Sequence, residues 1–409
     1  MKLPQITVAL LSAFALQALA GKELANPARF EKVIASFEAE DRARDARKDV
    51  AVFVGASNIR RWESLGQRFK KPLALNRGFG GAHMSDVAHF CARAVLPAKP
   101  TSIYVNAGGN DLHSGRTPEE VLAAFGDFVG QVKKELPKTK IYLLAIPPSP
   151  ARWDEVELVK KTNALLSDFC TRDGSIDFID TFYLLLGKDG KPKSECYVED
   201  RLHFSEAGYD IVTSAIRWQG AVAALEKEDA IKAPPANPIV FIGSSSIVRW
   251  KSLAEDFPDL PVMNRGFGGS EVFDSVTFSH RTVSPYKPRQ VVLYAGGNDI
   301  NAGKSADRVF ADYLALVKQI HAELPDARIS FISIAGNPKR WAQVDTVRAV
   351  NAKVAEHVKS DPRLDYIDVY SKMLGPDGKP LADIFVSDQL HMNEKGYSIW
   401  KEVVRPYLK

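Results

Sequence analysis

The chain contains one long sequence pattern written twice. Asn76-Arg77-Gly78-Phe79-Gly80-Gly81 recurs as Asn264-Arg265-Gly266-Phe267-Gly268-Gly269, and Ala107-Gly108-Gly109-Asn110-Asp111 recurs as Ala295-Gly296-Gly297-Asn298-Asp299. Asp200, Leu202 and His203 return as Asp388, Leu390 and His391; Arg61-Trp62 and Arg152-Trp153 return as Arg249-Trp250 and Arg340-Trp341. Every pair lies 188 positions apart, so no net insertion separates the copies between these landmarks. Roughly two positions in five are identical, and the period far exceeds the 20–50 residues of a solenoid repeat. The pattern therefore describes two whole domains in tandem, expected at 21–217 and 218–409. The helix after His203 is expected to run through Trp218 to Glu228. The break then falls in the proline-rich segment 232–238, which favours extended backbone.

Residues 1–20 follow a different pattern. Lys2 precedes an apolar stretch from Ile6 to Leu19 that ends in Ala18-Leu19-Ala20, the marks of a secretory signal peptide. The stretch is shorter than the ~20 apolar residues that span a bilayer, and no later segment qualifies. Gly21 stands where a lipid anchor would need Cys. A secreted or periplasmic location is expected, with no integral membrane segment after cleavage. Cys91, Cys170 and Cys196 allow at most one disulfide and lack the Cys-x-x-Cys spacing of a zinc site. With 54 basic against 50 acidic residues and no long basic block, a nucleic-acid partner is not expected. A 45% hydrophobic content is that of an ordinary globular protein, so a packed core must hold the fold.

Within each copy, short β-rich runs alternate with helix-length segments. Strands are expected at Val50 to Val54, Leu73 to Leu75, Ile103 to Val105, Ile141 to Ile146 and Ile176 to Ile179. Their counterparts are Ile239 to Ile242, Val262 to Met263, Val291 to Leu293, Ile329 to Ile334 and Leu364 to Ile367. A representative helix runs from Pro118 to Leu136, capped by Thr117 and stopped by Pro137. Apolar strands alternating with helices predict a parallel sheet covered on both faces. The expected fold class is α/β: two flavodoxin-like three-layer domains, each with a five-stranded parallel sheet in the order 2-1-3-4-5.

In such sheets ligands bind beyond the carboxyl ends of the strands, and the shared polar residues fall there. Gly55-Ala56-Ser57 and Gly243-Ser244-Ser245 follow the first strand, and the glycine turn ending at Gly81 or Gly269 follows the second. Asn110 or Asn298 follows the third, and Asp200 with His203, or Asp388 with His391, follows the fifth. A serine hydroxyl becomes a nucleophile when a histidine takes its proton and a carboxylate fixes the imidazole. Preorganised amides and an Asn carboxamide would hold the resulting oxyanion. The repeat selects among candidates: of Ser244, Ser245 and Ser246, only Ser245 has a serine counterpart, Ser57. Of eight histidines only His203 and His391 coincide.

These blocks resemble the SGNH (GDSL-type) hydrolases. The first block, Gly-x-Ser, matches at Ser57 and Ser245, the second-block glycine at Gly81 and Gly269, and the Gly-x-Asn-Asp block at Asn110 and Asn298. The closing Asp-x-x-His matches at Asp200 to His203 and Asp388 to His391. The resemblance implies a Ser nucleophile, a His base, an Asp partner, and an oxyanion hole from Ser, Gly and Asn, with no metal and no organic cofactor. The position before the serine, commonly Asp in that family, is Ala56 in one copy and Ser244 in the other. The expected activity is hydrolysis of carboxylic esters, short acyl groups on carbohydrate first. Alternatives are a lysophospholipase or lipid acyl hydrolase, or one copy serving as a catalytically silent polysaccharide-binding module.

Competing motifs fail on single residues. Gly78-x-Gly80 does not complete a dinucleotide fingerprint because no glycine or alanine closes it, and no Gly-x-Ser-x-Gly elbow occurs. Arg61-Trp62 and Arg152-Trp153 read equally well as pocket lining or as a packed Trp beside a surface Arg. Asp111 and Asp299 are expected to brace the oxyanion turn.

Overall fold

A computed structural model describes residues 26–44 and 49–409; the expected signal peptide at 1–20 lies outside the described residues. The chain divides into two compact units between Ala215 and Ile216. In the first, β1 (Val50–Gly55), β2 (Leu73–Gly78), β3 (Ser102–Asn106), β4 (Lys140–Leu144) and β5 (Ile176–Ile179) form one parallel sheet in the order β2-β1-β3-β4-β5. In the second, β6 (Ile239–Gly243), β7 (Val262–Gly266), β8 (Gln290–Tyr294), β9 (Arg328–Ile332) and β10 (Leu364–Ile367) repeat that order. Each unit is an α/β/α layer structure of the expected class.

Alternation along the strands builds two cores per sheet. Val240 and Ile242 pack with Leu316 and Ile320 of the helix Ala306–Glu323, whereas Ile239 and Phe241 pack with Trp250 and Trp400 on the other face. Truncating Phe241 or Trp250 to Ala would cost about 3–5 kcal/mol. The covering helices start where local chemistry starts them. Thr117 Oγ1 accepts from the Glu120 amide at 3.2 Å while Glu120 accepts from the Thr117 amide at 2.6 Å, with Pro118 at the first turn. That helix, Pro118–Glu135, turns Val121, Phe125, Phe128 and Val132 to the sheet at helical spacing.

Several expected strand ends move. β2 and β7 continue past Leu75 and Met263 through an arginine that patterning placed outside the strand. Arg77 is fully buried, pairs with Glu40 and Asp41, and lies 4.9 Å over the Phe37 ring. Its counterpart Arg265 pairs with Asp229 and lies 4.9 Å over Tyr286. The partners come from a lead-in helix, Glu31–Ala43 in the first unit and the second half of Glu206–Ile231 in the other. Arg93 binds Glu38 and Arg281 binds Glu226, both at 2.7 Å, at matching places on those helices. β4 and β9 stop two residues early. The amides of Ile146 and Ile334 turn instead to the side chains of Asn163 (2.9 Å) and Asn351 (2.8 Å).

Candidate active site

The two serines are placed by a glycine that no other residue could replace. Gly55 and Gly243 end β1 and β6 with φ of +151° and +127°, and a Cβ at either would come within 2.0 Å of the carbonyl oxygen of Asn106 or Tyr294. Those carbonyls accept from the amides of Ala56 and Ser244 at 3.0 Å, tethering the turn to the adjacent strand. Ser57 and Ser245 then open the one-turn helices Ser57–Arg60 and Ser245–Val248. A first-turn amide has no acceptor within its helix, so each serine N–H is left without an intrahelical partner.

The loop after β10 folds around Asp388. Its Oδ1 accepts from the amides of Leu390 and His391, both at 2.9 Å, and its Oδ2 meets His391 Nδ1 at 2.6 Å. With Nδ1 so engaged, His391 Nε2 stands 2.9 Å from Ser245 Oγ. In the first unit Asp200 Oδ1 accepts from Leu202 and His203 at 2.9 Å, and Oδ2 lies 2.7 Å from His203 Nδ1. His203 and Ser57 line one cleft together, but no hydrogen bond joins them there. The His391 ring and amide hold the Asp388 carboxyl well below the usual carboxylate range. For Asp200, burial pulls upward, yet the His203 amide and ring and the Leu202 amide outweigh it, with the same result.

The side chains of the two asparagines expected in the oxyanion hole are held by hydrogen bonds at both ends of the carboxamide. Asn298 Nδ2 donates to the Ser270 carbonyl at 3.0 Å, and Arg340 Nη1 donates to Asn298 Oδ1 and the Gly297 carbonyl at 3.1 Å each. Asn110 repeats this, with Nδ2 on Ala82 O at 3.1 Å and Arg152 Nη1 3.2 Å from its Oδ1 and from Gly109 O. A carboxamide fixed at its oxygen and at one N–H has one N–H left to give. Gly81 and Gly269, at φ +81° and +89°, precede the residues that accept from these Asn side chains. Gly81 lines the first cleft, whereas Gly269 is not among the residues that line the second.

Asp111 and Asp299 brace the turns as expected. Asp111 accepts from the Met84 amide with both oxygens, at 2.9 and 3.1 Å, and Asp299 from the Val272 amide at 3.0 and 3.3 Å. Burial pushes Asp111 up to about 7 and Asp299 up to about 6, the latter against the pull of Lys304.

The sequence left Arg152 and Arg340 open between pocket lining and the surface, and the structure places both in the clefts. Their recurrence at the common interval was the available signal, but nothing local showed that they reach Asn110 and Asn298. Trp62 and Trp250, beside Arg61 and Arg249 in the chain, are core residues, packed against Phe53 and Phe241. Cys91, Cys170 and Cys196 are buried free thiols, each pushed up to about 12 by burial. Among the described residues no group of three or more His, Cys, Asp and Glu side chains is arranged to hold a metal, and no helix is long and apolar enough to cross a membrane.

With this geometry in place, a sequence-family model described as the GDSL-like lipase/acylhydrolase family matches residues 49–211 and again 243–399. Among solved structures, the chain is similar to a GDSL-like lipase from Bacteroides thetaiotaomicron, 20% identical with a TM-score of 0.40 over 48% of this chain and 98% of that one. A Streptococcus pneumonia protein provisionally assigned as a platelet activating factor is 19% identical, with a TM-score of 0.43 over 53% of this chain and 98% of that one. An acetylxylan esterase from Geobacillus stearothermophilus is 17% identical, with a TM-score of 0.35 over 41% and 92%. No curated protein matches the chain.

Proposed function

The chain belongs to the GDSL-like lipase/acylhydrolase family, and on that premise we propose that it is an exported ester hydrolase with two Ser-His-Asp sites. The observation that carries the mechanism is the relay of Asp388, His391 and Ser245, joined at 2.6 and 2.9 Å. Ser245 Oγ attacks the ester carbonyl while His391 Nε2 takes its proton, and Asp388 holds the imidazole in the tautomer that can do so. The amides of Ser245 and Gly269 and the free N–H of Asn298 receive the oxyanion. Collapse breaks the acyl–oxygen bond, and His391 returns the proton to the departing alcohol. Water, activated by the same histidine, then frees the acid from Ser245. Ser57, His203, Asp200, Gly81 and Asn110 take these roles in the first unit.

Short acyl esters of carbohydrate are the proposed substrates. The second cleft supports this with Trp341, Asn337, Gln343 and Arg340 beside Ser245, an aromatic face edged by amides and a guanidinium. Export rests on the sequence pattern of residues 1–20.

The test is turnover of p-nitrophenyl acetate by the Ser57→Ala, Ser245→Ala and doubly substituted proteins. Each single change should leave partial activity and the double change almost none. Full turnover by the double variant overturns the assignment.

A further inference from the structure

The two clefts share their proposed catalytic residues but not their charge. Ser57-Asn58-Ile59-Arg60-Arg61-Trp62 corresponds to Ser245-Ser246-Ile247-Val248-Arg249-Trp250, so the first unit carries an arginine three residues after its serine where the second carries valine. Arg60 is exposed, and its side chain makes no hydrogen bond or ion pair among the described residues. Its guanidinium passes close to Gly80, where a Cβ would stand 2.8 Å from Nε and 3.2 Å from Cζ. The side chain lines the cleft that also holds Gly80, Ser57 and His203. Arg61 Nη1 stands beside it in the same cleft, 3.4 Å from Asp200 Oδ2.

The position of the pair relative to the chemistry is informative. Two depressions meet at Ser57, Asn110 and Arg152. One is walled by Ile146, Pro147 and Val156; the other holds Arg60, Arg61 and His203, with Phe30 as an apolar side. A histidine that protonates the departing alcohol must face it, so the alcohol portion of an ester lies in the second depression. Glu155, the acidic side chain in the other depression, is held by His113 at 2.6 Å.

Resting on the serine-hydrolase reading above, we propose that the first site selects esters whose alcohol portion carries an oxyanion, a carboxylate or a phosphate, through Arg60 with Arg61. The second site, with Val248, lacks this preference. A guanidinium presents a planar fork of donors to either anion. Because Arg60 is exposed, its contribution is that of a solvent-screened pair, several-fold rather than many orders of magnitude.

The experiment uses the full chain with one site silenced. Ser245→Ala isolates the first site and Ser57→Ala the second. Each is assayed on matched acetyl esters: methyl glucuronoside against methyl glucoside, and glycerol 3-phosphate against glycerol. For the first site the anionic member of at least one pair should be favoured by threefold or more in kcat/KM, mostly through KM, and the preference should fade as salt is raised. Arg60→Val should bring the ratio near one, and Val248→Arg should raise it for the second site. A preference in the glucuronoside pair alone identifies a carboxylated sugar, and in the glycerol pair alone a phosphate. A ratio near one in both pairs, or one unmoved by Arg60→Val, overturns the proposal while fluorophosphonate labelling of Ser57 leaves the hydrolase reading standing. Absence of that labelling overturns both.

Discussion

Arg340 donates to the side-chain oxygen of Asn298 at 3.1 Å and to the carbonyl of Gly297 at the same distance, so one guanidinium decides which way the carboxamide points. Arg152 does the same for Asn110. An amide rotated by half a turn would offer its oxygen to a developing oxyanion, turning stabilisation into repulsion.

Arg340→Ala, made in the Ser57→Ala protein, should therefore lower kcat by about 10–100-fold and leave KM nearly unchanged. That loss is smaller than the ~10²–10³ typical of deleting an oxyanion donor outright, which is the expectation for Asn298→Ala. Arg340→Lys should recover part of kcat, since a lysine can reach one acceptor but not both. Equal changes in KM and kcat would instead indicate a general loss of structure.

Asp388 is charged well below ordinary carboxylate values, because its oxygens take three hydrogen bonds from the Leu390 and His391 segment. Its charge therefore does not change between pH 5 and 9. Asp388→Asn, again with Ser57→Ala, should reduce kcat by ~10³–10⁴ at pH 8. A loss below tenfold would show that the carboxylate does not orient the base.

Asp111 predicts a pH-dependent stability. Its folded value of about 7 lies above the ordinary 3.8. Below pH 4 the group is protonated in both states and costs nothing. As pH rises from 4 to 7 the unfolded chain releases the proton first, and stability falls. At ~1.4 kcal/mol per pH unit the span is worth on the order of 4 kcal/mol at most. Asp111→Asn, which keeps an acceptor for the Met84 amide, should raise the melting temperature more at pH 8 than at pH 4. Thermal unfolding at the two pH values checks this, and an equal shift at both would refute it.

Gly243→Ala should destabilise the second unit by at least ~2 kcal/mol, since φ of +127° and a 2.0 Å approach to Tyr294 O both exclude a Cβ. Denaturant unfolding would register the change. Hydrolysis by Ser245 should fall with it, because the same turn sets the serine.

Much of this architecture was readable because the copies could be compared. The shared interval picked out Ser245 from its neighbours and His203 and His391 from the other histidines, and alternating strands and helices indicated the sheet order. The parts that escaped depend on side chains reaching across the fold. Arg77 and Arg265 looked like the end of a strand because an arginine seldom sits in a sheet core, yet carboxylates on the lead-in helix and an aromatic face make that position tenable. Arg152 lies 42 positions from Asn110, a distance over which no local pattern operates. The first unit also departs from its twin in a way no motif encodes, as His203 and Ser57 share a cleft without the hydrogen bond that joins His391 to Ser245.

The buried Arg265 sets a rule for anyone dividing this protein. Cutting at the prolines of 232–238, the obvious scissors point, would discard Asp229 and strand a guanidinium in an apolar interior with its counter-ion gone. It would also remove Glu226 from Arg281 and the Trp218 ring from Phe267. A half-length fragment meant to stand alone must begin upstream of Trp218, inside what looks like the tail of its predecessor.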